Sequence, residues 1–176
     1  MFFSPSRRLA AVLATLFTTA ALLPAGAGAA VYSNGTSSTN FDVTMTIVAN
    51  CVIGATPLSF GTTQGVLSAA IQATSTLNVT CSNTTPYNIG LDAGNGTGSS
   101  GTTRYLSGTG GNTGTVRFNL FQTLGATLWG NTQGTDTRGG VGNGAAQALT
   151  VYGEVPAQAT PLPDAYKSTI TATVYF

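Results

Sequence analysis

Thirteen consecutive residues, Phe41 to Ile53 ("FDVTMTIVANCVI"), keep one alternation. Phe41, Val43, Met45, Ile47, Ala49, Cys51 and Ile53 share a parity, with Asp42, Thr44, Thr46 and Asn50 on the other. A two-residue period is that of a strand with one buried face. At about 3.3 Å per residue the run would reach roughly 43 Å, whereas strands usually reach about 17–20 Å. It therefore reads as two strands laid end to end. The part from Cys51 onward belongs to a domain. The part before it follows a polar leader, "YSNGTSSTN". An N-terminal arm bearing Phe41, Val43, Met45 and Ile47 is suited to adding a strand to another molecule's sheet.

Helical period is absent downstream, and strand runs recur between turn clusters. "PLSFG" carries Leu58 and Phe60, and "IQATSTLNVTC" puts Ile71, Ala73, Leu77, Val79 and Cys81 on one face. "PYNIGLDA", "TRYL", "VRFNLF", "TLWG" and "ALTVYGEVP" follow, separated by Gly-rich loops at 94–101, 108–114 and 131–144. The chain ends on "STITATVYF", where Ile170, Ala172, Val174 and Phe176 alternate with Thr169, Thr171, Thr173 and Tyr175. Seven or eight strands and no helix predict an all-β, antiparallel β-sandwich. The last strand has no turn or partner strand after it. The plain reading is an ordinary edge or core strand; the other is a strand whose neighbour comes from another molecule.

The front of the chain reads as an export signal. Arg7 and Arg8 precede an apolar stretch from Leu9 to Leu23, then "PAGAGAA" with Ala27 and Ala29 at small-x-small spacing. That is the layout of a secretory signal peptide. The alternative, a membrane anchor, would want about twenty apolar residues. The expected organisation is a signal at 1–29, an arm at 30–48 and a β-sandwich domain at 49–176. Cys51 and Cys81 are the only cysteines. After export an even pair reads as a disulfide, the alternative being two reduced core thiols. Both sit at inward parity in adjacent strand runs, so a bridge would tie those strands together.

Beyond the signal, four cationic residues (Arg104, Arg117, Arg138, Lys167) face five acids (Asp42, Asp92, Asp136, Glu154, Asp164). Nucleic-acid binding needs clustered Lys and Arg, so no nucleic-acid partner is expected. Low net charge with many β-branched and aromatic residues argues against disorder. An uncharged Thr-rich surface suits a subunit packed into an assembly better than a free monomer.

The chain has no histidine, which removes a Ser-His-Asp triad and imidazole metal sites. No catalytic residue, metal or cofactor is expected. A glycosidase would require two carboxyls flanking one bond, and Asp92 with Asp136 is the pair that would have to meet. "GNGTG" and "GTGG" open no helical pattern, so they read as surface turns rather than phosphate loops. Trp129, Tyr87, Tyr105, Tyr152 and Tyr166 could form a sugar platform, which defines the alternative function: a secreted monomeric carbohydrate-binding or adhesin module. Core and strand-end packing is the plainer reading of these aromatics.

From Phe41 to Phe176 the chain resembles the spore coat protein U family, which includes subunits of archaic chaperone–usher pili. The resemblance rests on the order and spacing of "FDVTMTIVANC", "LSFG", "LNVTCSNTTPYNIGLDAG", the arginine of "TRYL", "FNLF" then "LWG", "LTVYGEVPAQ" and "AYKSTITATVYF". It departs where the family has Gly-x-Tyr and Asp-Thr before the last strand; here stand Asp164-Ala165-Tyr166 and Ser168-Thr169. Asp tolerates turn conformations, including positive φ. The resemblance implies an immunoglobulin-like sandwich lacking one strand. A periplasmic chaperone would lend a strand to the open groove, whose floor would include Ile170, Ala172, Val174 and Phe176. At an outer-membrane usher the arm of the next subunit would replace it. It implies an exported, cell-surface subunit in a head-to-tail homopolymer, serving adhesion, biofilm formation or surface protection.

Overall fold

The computed structural model describes residues 34–63 and 66–176. The signal expected at 1–29 lies outside them, as do arm residues 30–33. The chain divides between Thr44 and Met45. Residues 34–44 carry no secondary structure and are exposed. The second part holds ten strands: β1 Cys51–Ala55, β2 Ile71–Cys81, β3 Pro86–Leu91, β4 Arg104–Gly108, β5 Thr115–Thr123, β6 Thr127–Leu128, β7 Arg138–Val141, β8 Ala146–Val155, β9 Tyr166–Lys167 and β10 Ala172–Tyr175. There is no helix among the described residues.

All strand pairs are antiparallel. The larger sheet runs β1-β2-β8-β5-β4-β9, with β6 on β5; the smaller runs β10-β3-β7. This is an all-β antiparallel sandwich, as the alternation predicts, and immunoglobulin-like, as the family resemblance implies. Leu77, Val79 and Cys81 of β2, Val116, Phe118 and Leu120 of β5 and Val151 and Val155 of β8 share one core with Tyr87, Ile89 and Leu91 of β3. Each set keeps a single parity, two residues apart in β2, β3 and β5 and four apart in β8, so the pleat alone delivers them to one face. Cys51 pairs with Cys81 across β1 and β2 and forms a disulfide there, with Cα atoms 4.1 Å apart. Both are buried.

Trp129 and Arg104 tie the two sheets together. Trp129 N donates to Leu120 O of β5 at 2.8 Å, while Leu91 N of β3 donates to Gly130 O at 2.8 Å. The Trp129 indole N–H donates to Ile89 O at 2.8 Å. Arg104, fully buried on β4, donates to Asp92 O (2.9 Å), Leu91 O (2.8 Å) and Trp129 O (2.7 Å). Burial pulls its pKa well below the ordinary arginine value, Asp92 and then Asp136 pull it partly back, and the balance lies at about 10. It is charged at neutral pH, and each of its carbonyl bonds is charge-assisted.

Three segments differ from the sequence reading. "PLSFG" is not a strand: Pro57 lacks a donor and Gly61 sits at φ +75°. Leu58 and Phe60 nonetheless pack against the core, Phe60 edge-on to Phe118 at 6.3 Å. Within the expected loop 131–144, β7 pairs with β3; with Gly139 and Gly140 at its centre it has no apolar alternation to reveal it. The last strand begins only at Ala172. Upstream, Asn95 Oδ1 accepts from Thr169 N (2.7 Å) and Asp92 Oδ1 from Thr171 N (2.9 Å), so side chains replace a partner strand.

Candidate functional site: an open apolar cleft beside the last strand

The sandwich is closed at the Trp129–Arg104 end. Elsewhere it opens into a cleft of about 1220 Å³, whose walls include Leu58, Phe60, Leu106, Val116, Ile170 and Ala172. Leu58, Phe60, Leu106, Ile170, Ala172 and Val174 are only partly buried. Gly153 of β8 is needed here, because a Cβ would stand 2.8 Å from Leu58 Cδ1 and 3.0 Å from Phe60 Cζ.

β10 forms one boundary of the three-stranded sheet, with β3 as its strand partner. Its register sets Ala172 opposite Leu91 and Val174 opposite Ile89. Asp92 N donates to Thr171 O at 3.1 Å, which marks 171/92 as a hydrogen-bonded pair. Antiparallel pairs alternate, so 173/90 and 175/88 are bonded as well. The N–H and C=O of Ala172 and Val174 therefore face the open edge. These are the residues whose side chains turn into the core. One stretch thus offers unpaired backbone groups and apolar pockets together, which is what strand addition requires and what an isolated protein normally covers.

Of the four C-terminal residues singled out by parity, Ile170 and Ala172 line the cleft and Val174 packs against the core. Phe176 is 59 % exposed, beside a separate hollow with Pro86 and Asn88. The arm residues Phe41, Val43, Met45 and Ile47 are 82 %, 85 %, 82 % and 78 % exposed and belong to no strand. Leu58, Phe60 and Leu106 are further cleft residues; the two-residue spacing of the first two is the signal the sequence carries for them.

The carboxylates of Asp92 and Asp136 are both engaged by backbone amides. Asp92 Oδ1 accepts from Gly94 N and Thr171 N, both at 2.9 Å, and Asp136 Oδ1 from Thr132 N at 2.6 Å. No cluster of metal-ligating residues exists among the described residues. Trp129 is fully buried and Tyr87 is 4 % exposed, so neither offers a face to a sugar ring. Asp164, standing for the family's glycine, is not at positive φ. Its carboxylate instead accepts from Gly110 N, Ala165 N and the Asn112 amide, pinning the loop ahead of β9.

A family model for the Spore Coat Protein U domain matches residues 37–173. The chain belongs to that family. No curated protein matches it. Among solved structures, this Spore Coat Protein U domain is similar to a chain of the CsuC-CsuE chaperone–tip adhesion subunit pre-assembly complex from archaic chaperone-usher Csu pili of Acinetobacter baumannii. The identity is 21 %, the TM-score 0.51, and the match covers 74 % of this chain and 40 % of that one. It is also similar to the E. coli Hda pilus minor tip subunit, HdaB, at 16 % identity and TM-score 0.37, covering 71 % of this chain and 79 % of that chain. The chain thus spans two fifths of the first of these, and that likeness speaks to the sandwich fold.

Proposed function

We propose that the chain is a structural subunit of a surface pilus or coat, exported through the periplasm and joined to further copies by donor-strand exchange. The observation that carries this reading is the coincidence at β10: Ala172 lines the open apolar cleft, and Ala172 and Val174 both turn their side chains to the core and their unpaired backbone groups to the open edge. Four exposed apolar side chains at strand spacing on the N-terminal segment supply the complementary element. Burying one such side chain is worth roughly 1.5–3 kcal/mol, so four anchors and a ladder of hydrogen bonds make a durable joint. The contact is heterologous and does not close, so it propagates as a filament.

Until a sister subunit arrives, the cleft is an aggregation hazard. A periplasmic chaperone lending a strand would shield it, and an outer-membrane usher would order the exchange. The Csu complex, by its description a chaperone–subunit pre-assembly complex of a chaperone-usher pilus, supports that order of events. The assembled fibre serves adhesion, biofilm formation or surface protection.

The test uses the chain lacking residues 31–47 and a synthetic peptide covering residues 39–49. The peptide should form a one-to-one complex and raise the unfolding temperature. A peptide with Val43 and Met45 replaced by Asp should do neither. A truncated domain that polymerises unaided, or that ignores the peptide, would sink the reading.

A further inference from the structure

An arm that fills a neighbour's cleft must be kept from filling its own. The local sequence favours the wrong choice. The arm runs directly into β1, and Phe41 to Ile53 keep one parity. β1 pairs with β2 on one side only. Thr56 N donates to Thr76 O (3.0 Å) and Ser82 N to Asn50 O (2.9 Å), so 50/82, 52/80, 54/78 and 56/76 are the hydrogen-bonded pairs. The N–H and C=O of Cys51, Ile53 and Ala55 are left facing outward. A reversal over Val48, Ala49 and Asn50 would set Ile47 opposite Cys51, Met45 opposite Ile53 and Val43 opposite Ala55. Directly opposed residues share a face, so the arm's apolar side chains would turn to the side on which Cys51 and Ile53 meet the core. Three-residue hairpin loops are common, and a self-filled cleft would end polymerisation.

Ser82 opposes that reversal. Asn50 N donates to Ser82 Oγ at 3.0 Å, the hydroxyl standing in for a strand carbonyl. Asn50 O accepts from Ser82 N at 2.9 Å. Ser82 Oγ also lies 3.5 Å from Val48 O and 3.3 Å from Asn50 O, within reach to donate. Together these bonds carry the ladder one pair past the disulfide and keep Asn50, with Val48, in line with β1. A turn over residues 48–50 would have to break them. We propose that Ser82 is a positioning residue that holds the root of the arm in line with β1 and so commits the arm to a neighbouring copy instead of its own cleft. This rests on the arm being a donor strand.

The experiment uses the mature chain carrying Val43→Cys and Ala55→Cys, which the reversed hairpin would bring into disulfide range. Non-reducing electrophoresis with peptide mapping separates intrachain from interchain products. With Ser82 present, interchain ladders should dominate. Ser82→Ala should raise the intrachain fraction about tenfold, the effect of losing one to two net hydrogen bonds, and shorten the polymers. Ser82→Thr, which keeps the hydroxyl, should restore the wild-type ratio, an outcome a merely structural role would not yield. An unchanged intrachain fraction in Ser82→Ala overturns the proposal. A parallel chain lacking residues 31–47 keeps the two readings apart. If it fails to polymerise, the donor-strand reading stands whatever Ser82 does. If it polymerises normally, that reading falls and this proposal with it.

Discussion

Thr84 is the residue most at odds with its own backbone. It lies in the turn between β2 and β3 at φ 62°, where a β-branched side chain is unfavourable. Its N–H donates to Gly142 O at 2.8 Å, which holds the turn in place. Thr84→Asn keeps that N–H and suits the left-handed conformation, so it should raise stability by about 0.5–1 kcal/mol in urea unfolding. Arg104 is the opposite case, a costly residue whose removal is worse. Arg104→Met would strand three buried carbonyls and should cost about 3–5 kcal/mol. Because burial lowers its pKa to about 10, it is charged in both folded and unfolded chains below that value. Its contribution to stability is then flat with pH, and rises only above about pH 10, where the unfolded chain holds the proton more tightly. The stability gap between wild type and Arg104→Met should accordingly not vary from about pH 6 to about pH 9. An arginine before an aromatic strand was visible in "TRYL"; its bonds were not, because all three acceptors are carbonyls brought in from elsewhere in the chain.

At the scale of elements, β10 decides the most. Its alternation was legible in "ITATVYF", and so was the inward set Ile170, Ala172 and Val174. Its length was not, because Asn95 and Asp92 take over the backbone N–H groups of Thr169 and Thr171, a substitution no local pattern announces. Nor was the departure of Phe176, which is 59 % exposed although it shares the inward parity. Val174→Asp would place a carboxylate against the core, at a cost of several kcal/mol when buried unpaired. If the proposed function holds, the yield of subunit co-purifying with a co-expressed periplasmic chaperone should fall at least about tenfold, while Thr173→Asp, on the other parity, should have a much smaller effect. β7 shows the reverse failure: two central glycines erase the period, and pairing with β3 alone makes it a strand.

For the whole molecule, the disulfide closes a separation of 30 residues and anchors β1, which has β2 as its sole strand partner. Replacing both Cys51 and Cys81 by Ser should lower stability by about 3–4 kcal/mol, measured on the domain with the donor peptide bound so that the cleft is filled in both forms. Deleting residues 31–47 should leave a folded, chaperone-binding domain that forms no fibres under the electron microscope. Normal fibres from that truncation would show that the N-terminal segment is not the joint.

Sequence alone determined the fold class, the inward faces of β2, β3, β5 and β8, and the cysteine pairing. All of these follow from a two-residue period and a cysteine count, which are local properties of the chain. Tertiary structure alone decided where the sandwich is closed and where it is open. Closure depends on Trp129 and Arg104 bonding carbonyls on distant strands, and the opening on β10 having β3 as its only strand partner. Both are consequences of strand order, and strand order is a non-local outcome that alternation along a single run does not encode.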